Sequence, residues 1–181
     1  MEVGEAAKLI QGAVAGKGGT WADLGAGEGT FTQALAGLLG PEARIYAIDH
    51  DPAAVRALSR WAAADARVIP LEADFRRLDA IPALRGVTLD GVLLANSLHF
   101  AADPARLLAR IARLVRPGGR LVVVEYDRRP SSRWVPYPVS EERLRELLPA
   151  AGFTKPQVVG TRPSRYSGML YAAVALRPGD P

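Results

Sequence analysis

The stretch 20-TWADLGAGEGTFTQAL-35 constrains this chain more than any other. A short, apolar, β-favouring run, 20-TWADL-24, ends on glycines at positions 25, 27 and 29. Residues 29–39 then carry Phe31, Leu35, Leu38 and Leu39 at helical spacing, and 40-GP-41 stops them. A strand, a glycine turn and a helix in that order predict one β–turn–α unit. Glycine is among the costliest residues to order, so something must approach this backbone closely enough to exclude side chains. Three ligand classes fit such a turn: a dinucleotide, a nucleoside triphosphate, or a molecule with no phosphate.

The same alternation runs on either side. A helix over roughly Glu5–Ala15, within an N-terminal segment 1–17, precedes the 16-GKGG-19 break. A strand is predicted at 44–49. The helix 51-DPAAVRALSRW-61 follows, with Asp51 as N-cap, Pro52 in its first position, and Val55, Leu58 and Trp61 on its buried face. A strand at 67–74 leads through a short proline-containing connection to another at 90–96. Asp103 and Pro104 begin a helix whose Leu107, Leu108, Ile111, Leu114 and Val115 form an apolar stripe. Its Arg106, Arg110 and Arg113 form a solvated one. That helix stops at 117-PGG-119, and 120-RLVVVEY-126 reads as a strand buried on both faces. After a loop at 127–139 comes a helix from Ser140 to Ala151, with Glu141 and Glu142 suiting its dipole. Strands near 156–161 and 168–176 have no helix between them, so they pair antiparallel. Five strands alternating with helices predict an α/β fold, a parallel sheet with right-handed crossovers and an antiparallel edge. The 181 residues fit one domain, 1–181, large enough to bury a core without staples.

In a doubly wound sheet, ligands bind beyond the carboxyl ends of the strands, where strand order reverses. A phosphate-binding P-loop needs a lysine after its glycines, and none follows here. The dinucleotide fingerprint needs G-x-G-x-x-G, whereas Thr30 stands where its third glycine belongs. Three acids at predicted strand ends narrow the choice further. Asp49, about twenty residues past the glycines, can accept hydrogen bonds from ribose hydroxyls. Asp23, just before the glycines, would repel a pyrophosphate and suits positive charge. Asp74 can accept from an exocyclic adenine amine. Together they describe an adenosine-containing, phosphate-free, partly cationic ligand.

The segments 23-DLGAGEG-29, 44-RIYAIDHDP-52, 72-EADF-75, 92-VLLANSLHF-100 and 116-RPGGRLVVVEY-126 resemble, in that order, the class I S-adenosylmethionine-dependent methyltransferases. The pattern is most similar to the small UbiE-like, type 11 group. The resemblance implies a Rossmann-like three-layer αβα sandwich. Its seven-stranded, mostly parallel sheet has the order 3-2-1-4-5-7-6, with the last strand antiparallel. It also implies S-adenosyl-L-methionine as methyl donor and S-adenosyl-L-homocysteine as product. By position, the Gly25, Ala26 and Gly27 backbone would pack against the methionyl and ribose parts, and Asp23 would face the ammonium. Asp49, with His50 beside it, would hold the ribose hydroxyls. Asp74 would meet the adenine amine, Phe75 would lie beside the ring, and Asn96 would offer its carbonyl to the methionyl end.

A sulfonium is already an activated leaving group, so positioning an acceptor in line supplies much of the catalysis, about 7–11 kcal/mol in good geometry. A base is needed only when the acceptor arrives protonated. His99 and Tyr126 are the two candidates. Glu125 and Tyr126 end the same strand, and by alternation only one of them points into the crevice. The 127–139 loop mixes Arg128, Arg129, Arg133, Trp134 and Tyr137, a composition suited to an anionic, aromatic or nucleobase-containing acceptor. The substrate-side candidates are therefore His99, Tyr126, Arg128, Trp134 and Tyr137.

The absence of cysteine excludes thiolate zinc sites, the covalent route to 5-methylcytosine and the thiol chemistry of arsenic methylation. The sequence 96-NSLH-99 replaces the Asn/Asp-Pro-Pro-Tyr/Phe of many amino-directed methyltransferases, which argues against transfer to nucleobase or glutamine nitrogen. Only the N-terminal helix, the 127–139 loop and 162-RPSRYSG-168 remain to shape an acceptor site. Segments that short suit a small molecule; an RNA or protein acceptor stays open. A net charge of +4 carried on singly spaced arginines speaks to solubility rather than to a nucleic-acid partner. No apolar run approaches the roughly 20 residues of a membrane span, and 1-MEVGEAAKLI-10 lacks a signal pattern, so the expected setting is cytoplasmic, as a monomer or a homodimer. Two other classes remain: a module that binds the cofactor and transfers nothing, and an NAD-dependent oxidoreductase. The missing glycine and the presence of only Lys8, Lys17 and Lys155 as lysines oppose the latter.

Overall fold

The computed structural model describes residues 1–14, 16, 18–164 and 168–179. The apolar runs become strands β1 (Gly19–Leu24), β2 (Ala43–Asp49), β3 (Val68–Glu72), β4 (Leu89–Ala95), β5 (Val115–Asp127), β6 (Gln157–Pro163) and β7 (Met169–Leu176). They form one sheet of order β3-β2-β1-β4-β5-β7-β6. The pairings among the first five strands are parallel, and β7 runs antiparallel to both β5 and β6. The expected topology is therefore observed.

The helices are α1 (Val3–Ile10), α2 (Thr30–Leu39), α3 (Pro52–Ala62), α4 (Pro104–Leu114) and α5 (Glu141–Ala150). Side-chain alternation divides the strands between two cores. One face of the sheet (Trp21, Ile45, Leu93, Val122) packs against Leu9 of α1, Leu35 of α2 and Leu58 of α3. The other (Leu24, Ile48, Leu94, Val123) packs against Leu107 and Ile111 of α4 and Leu144 and Leu148 of α5. Each buried leucine contributes about 1.5–3 kcal/mol, so the two faces together hold the three layers. Trp21 explains a glycine inside a central strand: a Cβ on Gly91 would lie 2.4 Å from its ring.

Several boundaries differ from expectation. Helix α1 starts at Val3, where Glu2 and Glu5 form a reciprocal capping box, and ends at Ile10; Ala15 and Lys17 lie outside the described residues. Strand β3 stops at Glu72, because Asp74 accepts from the Arg76 N–H and caps a 3-10 turn at Phe75–Ala80. A second such turn, Pro82–Leu84, completes the connection. Helix α4 passes directly into β5, and 117-PGG-119 belongs to that strand's lead-in. There Gly118 donates to the Arg177 carbonyl, and the Arg177 N–H donates to that of Gly119. No helix among the described residues is long and apolar enough to cross a membrane.

Candidate active site

Strand order reverses between β1 and β4, which opens a crevice above Gly25 on one side and Asn96 on the other. All three glycines of the turn have positive φ, at 84°, 55° and 94°. Their surroundings differ. A Cβ on Gly25 would meet the Ser97 Cβ at 2.5 Å, and one on Gly29 would meet Leu58 at 2.5 Å. Packing therefore demands glycine at 25, whereas Gly29 would meet only the flexible tip of Leu58 and is demanded by its left-handed φ of 94°. A Cβ on Gly27 would find nothing within 4 Å. Gly27 alone turns its bare backbone toward open space, so the close approach expected at all three is available to a ligand at one.

The strand ends hold this turn in place. Asp49 is 8% exposed; its Oδ2 accepts the Gly27 N–H at 2.8 Å and its Oδ1 accepts the Asp51 N–H at 2.9 Å. Each oxygen keeps a further lone pair for another donor. His50 lies beside it, with Nδ1 3.4 Å from Asp49 and a largely exposed ring. Asp23 is fully buried and accepts from the Thr32 hydroxyl at 2.6 Å, while its Oδ1 has no partner. Burial pushes the Asp23 carboxyl up to about 7; the Thr32 bond opposes that shift and the Asp49 charge adds to it.

Asn96 follows β4 with a φ of 53°, a left-handed conformation uncommon for a side-chain-bearing residue, and its buried Oδ1 has no partner. Backbone strain and an unsatisfied acceptor thus coincide at one residue on the rim of the crevice. Asp74 is committed elsewhere than expected. It is ion-paired to Arg76 at 2.9 Å, and the Arg76 hydrogen bonds hold its carboxyl below the usual range. Phe75 is buried, and its ring faces the Gly25 backbone.

Two cavities meet over this rim. The first, of ≈ 360 Å³, is bordered by the turn at Gly25–Glu28, Phe31, Arg162, Pro163 and Ser164. Residues 165–167 of the expected acceptor-shaping segment lie outside the described residues. The second, of ≈ 530 Å³, is lined by His99, Phe100, Arg129, Trp134 and Val135. Asn96 and Tyr126 border both. Both volumes fall in the range of small-ligand sites.

Alternation on β5 does separate Tyr126 from Glu125, and Tyr126 is the one that reaches the cavities. Glu125, fully buried on the other face, turns to His99: its Oε1 accepts the His99 N–H at 3.1 Å and its Oε2 lies 2.7 Å from Nδ1. The loop candidates divide. Trp134 lines the second cavity, but Arg128 points away, with its side chain 92% exposed, and Tyr137 borders a different depression beyond Phe100. The reason is local: Arg128 has a φ of 53°, which turns it outward and leaves Arg129 to stack over Tyr126 at 4.4 Å. Sequence reasoning missed Glu125 as the partner of His99. The available signal was a carboxylate closing an otherwise apolar strand, which burial obliges to find a partner. No group of three His, Asp or Glu side chains that could hold a metal occurs among the described residues.

A family model described as a methyltransferase domain matches residues 22–121, more than half of the chain. The match carries the class; the UbiE-like grouping rests on the motifs. Among curated proteins, a ribosomal RNA small subunit methyltransferase H from Bordetella avium is 37% identical over 91 residues, 50% of this chain and 24% of that protein. An S-adenosyl-L-methionine-dependent Diels-Alderase from Talaromyces variabilis is 41% identical over 59 residues, 33% of this chain and 19% of that one. The chain spans less than a third of the length of the curated relatives it matches. In fold it is similar to a SAM dependent methyltransferase from Aquifex aeolicus, with a TM-score of 0.73 over 96% of this chain and 89% of that one at 19% identity.

Proposed function

The chain belongs to the methyltransferase domain family, and on that footing we propose that it transfers a methyl group from S-adenosyl-L-methionine to a small-molecule acceptor. The observation that most supports this reading is the setting of Gly27. Its bare backbone borders a cavity that Asn96 also lines, its N–H donates to Asp49, and buried oxygens of Asn96 and of Asp23, on the strand before the turn, lack partners. A ligand with ribose hydroxyls, an ammonium group and no phosphate satisfies all three.

In this reading Asp49, with His50 beside it, holds the ribose hydroxyls, and Asp23 neutralises the ammonium. The Gly25, Ala26 and Gly27 backbone lies along the ligand, and Asn96 accepts from its methionyl end. Phe75 flanks the adenine. Asp74 reaches the adenine amine only with the lone pairs that Arg76 leaves free. Once bound, the sulfonium supplies an activated methyl group. The protein's remaining task is to seat an acceptor opposite it, and the two cavities that share Asn96 and Tyr126 suit that task. Residues 1–181 act as one unit, with the 127–139 loop on the acceptor side.

Calorimetric titration with S-adenosyl-L-homocysteine tests this. Micromolar binding is expected, lost in Asp49→Ala, with circular dichroism to check that the variant folds. A folded wild-type protein that binds neither S-adenosyl-L-methionine nor S-adenosyl-L-homocysteine would end the proposal.

A further inference from the structure

The second cavity has a chemistry of its own. Phe100, Tyr126 and Trp134 give it flat, apolar walls, and polar groups enter at His99 and Arg129. Flat walls favour a flat ligand, because offset stacking gains contact without costly conformational restriction. The Arg129 guanidinium, over the Tyr126 ring, brings positive charge to one side. His99 is held in place unusually firmly for a residue just past a strand end. Its side chain is 3% exposed and that of Glu125 is 0% exposed, and Glu125 engages both its backbone N–H and its Nδ1. A buried carboxylate 2.7 Å from Nδ1 selects the tautomer that carries its proton there, and leaves the ring's lone pair on Nε2.

We propose, resting on the methyltransferase reading above, that this cavity is the acceptor site and takes a flat aromatic molecule with an ionisable hydroxyl and an anionic substituent, His99 removing the hydroxyl proton while Glu125 positions the ring. Arg129 meets the anionic substituent. As the hydroxyl oxygen forms its bond to the methyl carbon, the carbon–sulfur bond breaks and sulfur keeps that electron pair. The hydroxyl proton passes to Nε2 and then to solvent. His99 is the catalytic residue of this scheme and Glu125 a positioning residue.

Three measurements test it. The chain has two histidines, so nitrogen NMR of the wild-type protein, assigned with His50→Gln, reads His99 directly. A neutral ring protonated at Nδ1 is expected at mildly alkaline pH, shifting toward the Nε2-protonated form in Glu125→Gln. An Nε2-protonated or doubly protonated wild-type ring under those conditions overturns the proposal without any substrate. Second, 3,4-dihydroxybenzoate added to protein saturated with S-adenosyl-L-homocysteine should quench Trp134 fluorescence. Benzoate and 4-methylcatechol should bind about tenfold more weakly or worse, and Arg129→Ala should erase the advantage over 4-methylcatechol. Third, methylated dihydroxybenzoate should form with a kcat that rises with pH to a plateau. His99→Gln should lower kcat by about 10²–10⁴-fold without changing S-adenosyl-L-methionine affinity. Failure of S-adenosyl-L-homocysteine to bind strikes the underlying function. Retained cofactor binding with no dihydroxybenzoate binding, or with turnover of aminobenzoates alone, strikes this inference and leaves that function standing.

Discussion

Replacing Asp23 by asparagine separates what this carboxylate costs the empty protein from what it gives a bound cation. The side chain is fully buried, bonded to Thr32 through one oxygen and unpartnered at the other. Desolvation is the main reason its pKa rises from 3.8 to about 7. Between those values the folded protein holds a proton that the unfolded chain has released. The stability this proton confers is complete below the unfolded value and is lost as pH rises through about 7. At about 1.4 kcal/mol per pKa unit, ionising Asp23 in the ligand-free fold costs on the order of 4 kcal/mol. An asparagine never ionises. Its amide keeps an acceptor for Thr32 but places N–H donors where Oδ1 lacked a partner, at a pH-independent cost of about 1–3 kcal/mol. Relative to wild type, the variant should therefore gain roughly 4 kcal/mol between about pH 4 and about pH 8, and end more stable at the upper limit. Urea unfolding of the ligand-free protein at both pH values measures this difference with the constant term removed. At the upper pH, calorimetry should also show weaker S-adenosyl-L-homocysteine binding by the variant. A stability difference that does not change with pH refutes the argument, since Asp23 would then titrate as it does in the unfolded chain.

The glycines of the turn should respond unequally. Gly25→Ala forces a Cβ onto Ser97 in a left-handed conformation and should cost about 2–5 kcal/mol, partly recovered by adding Ser97→Gly. Gly27→Ala should cost the fold only about 1–2 kcal/mol, yet reduce cofactor affinity more than it reduces stability; thermal melts with and without S-adenosyl-L-homocysteine compare the two. Tyr171→Phe removes a buried hydrogen bond of 2.9 Å to the Val139 carbonyl and should destabilise by about 1–3 kcal/mol in denaturant titration. Since that bond ties β7 to the end of the acceptor-side loop, proteolysis there should quicken. Asp74→Ala deletes the cap of the Phe75–Ala80 turn together with the Arg76 ion pair, and should cost about 0.5–2 kcal/mol of stability. An unchanged melting curve would show that the cap carries no weight.

Much of the fold was legible because its signals are local. Periodicity distinguished strands from helices, Asp51-Pro52 and Asp103-Pro104 marked helix starts, and two strands with no helix between them had to pair antiparallel. Where the reading slipped, a short-range contact had outcompeted the pattern. Asp74 left β3 to cap a turn, and 117-PGG-119 was drawn into β5 by backbone bonds to Arg177. The positions of Asp23, Asp49 and Asp74 were legible for the same reason, since each lies within two residues of a strand end.

What the residues alone determined is the rhythm of the chain: an α/β alternation, a glycine turn at its first crossover, and carboxylates that favour a cationic nucleoside over a phosphate. These follow from bond geometry, side-chain period and charge, which act between near neighbours. Tertiary structure decided that Gly27, and neither Gly25 nor Gly29, faces open space, and that Arg129 rather than Arg128 enters the cavity. It also brought Glu125 to His99 across 26 residues of chain. Such pairings depend on how distant strands and loops pack together; the spacing of residues along the chain assigns faces, as it did for Glu125 and Tyr126, but not the partners met there.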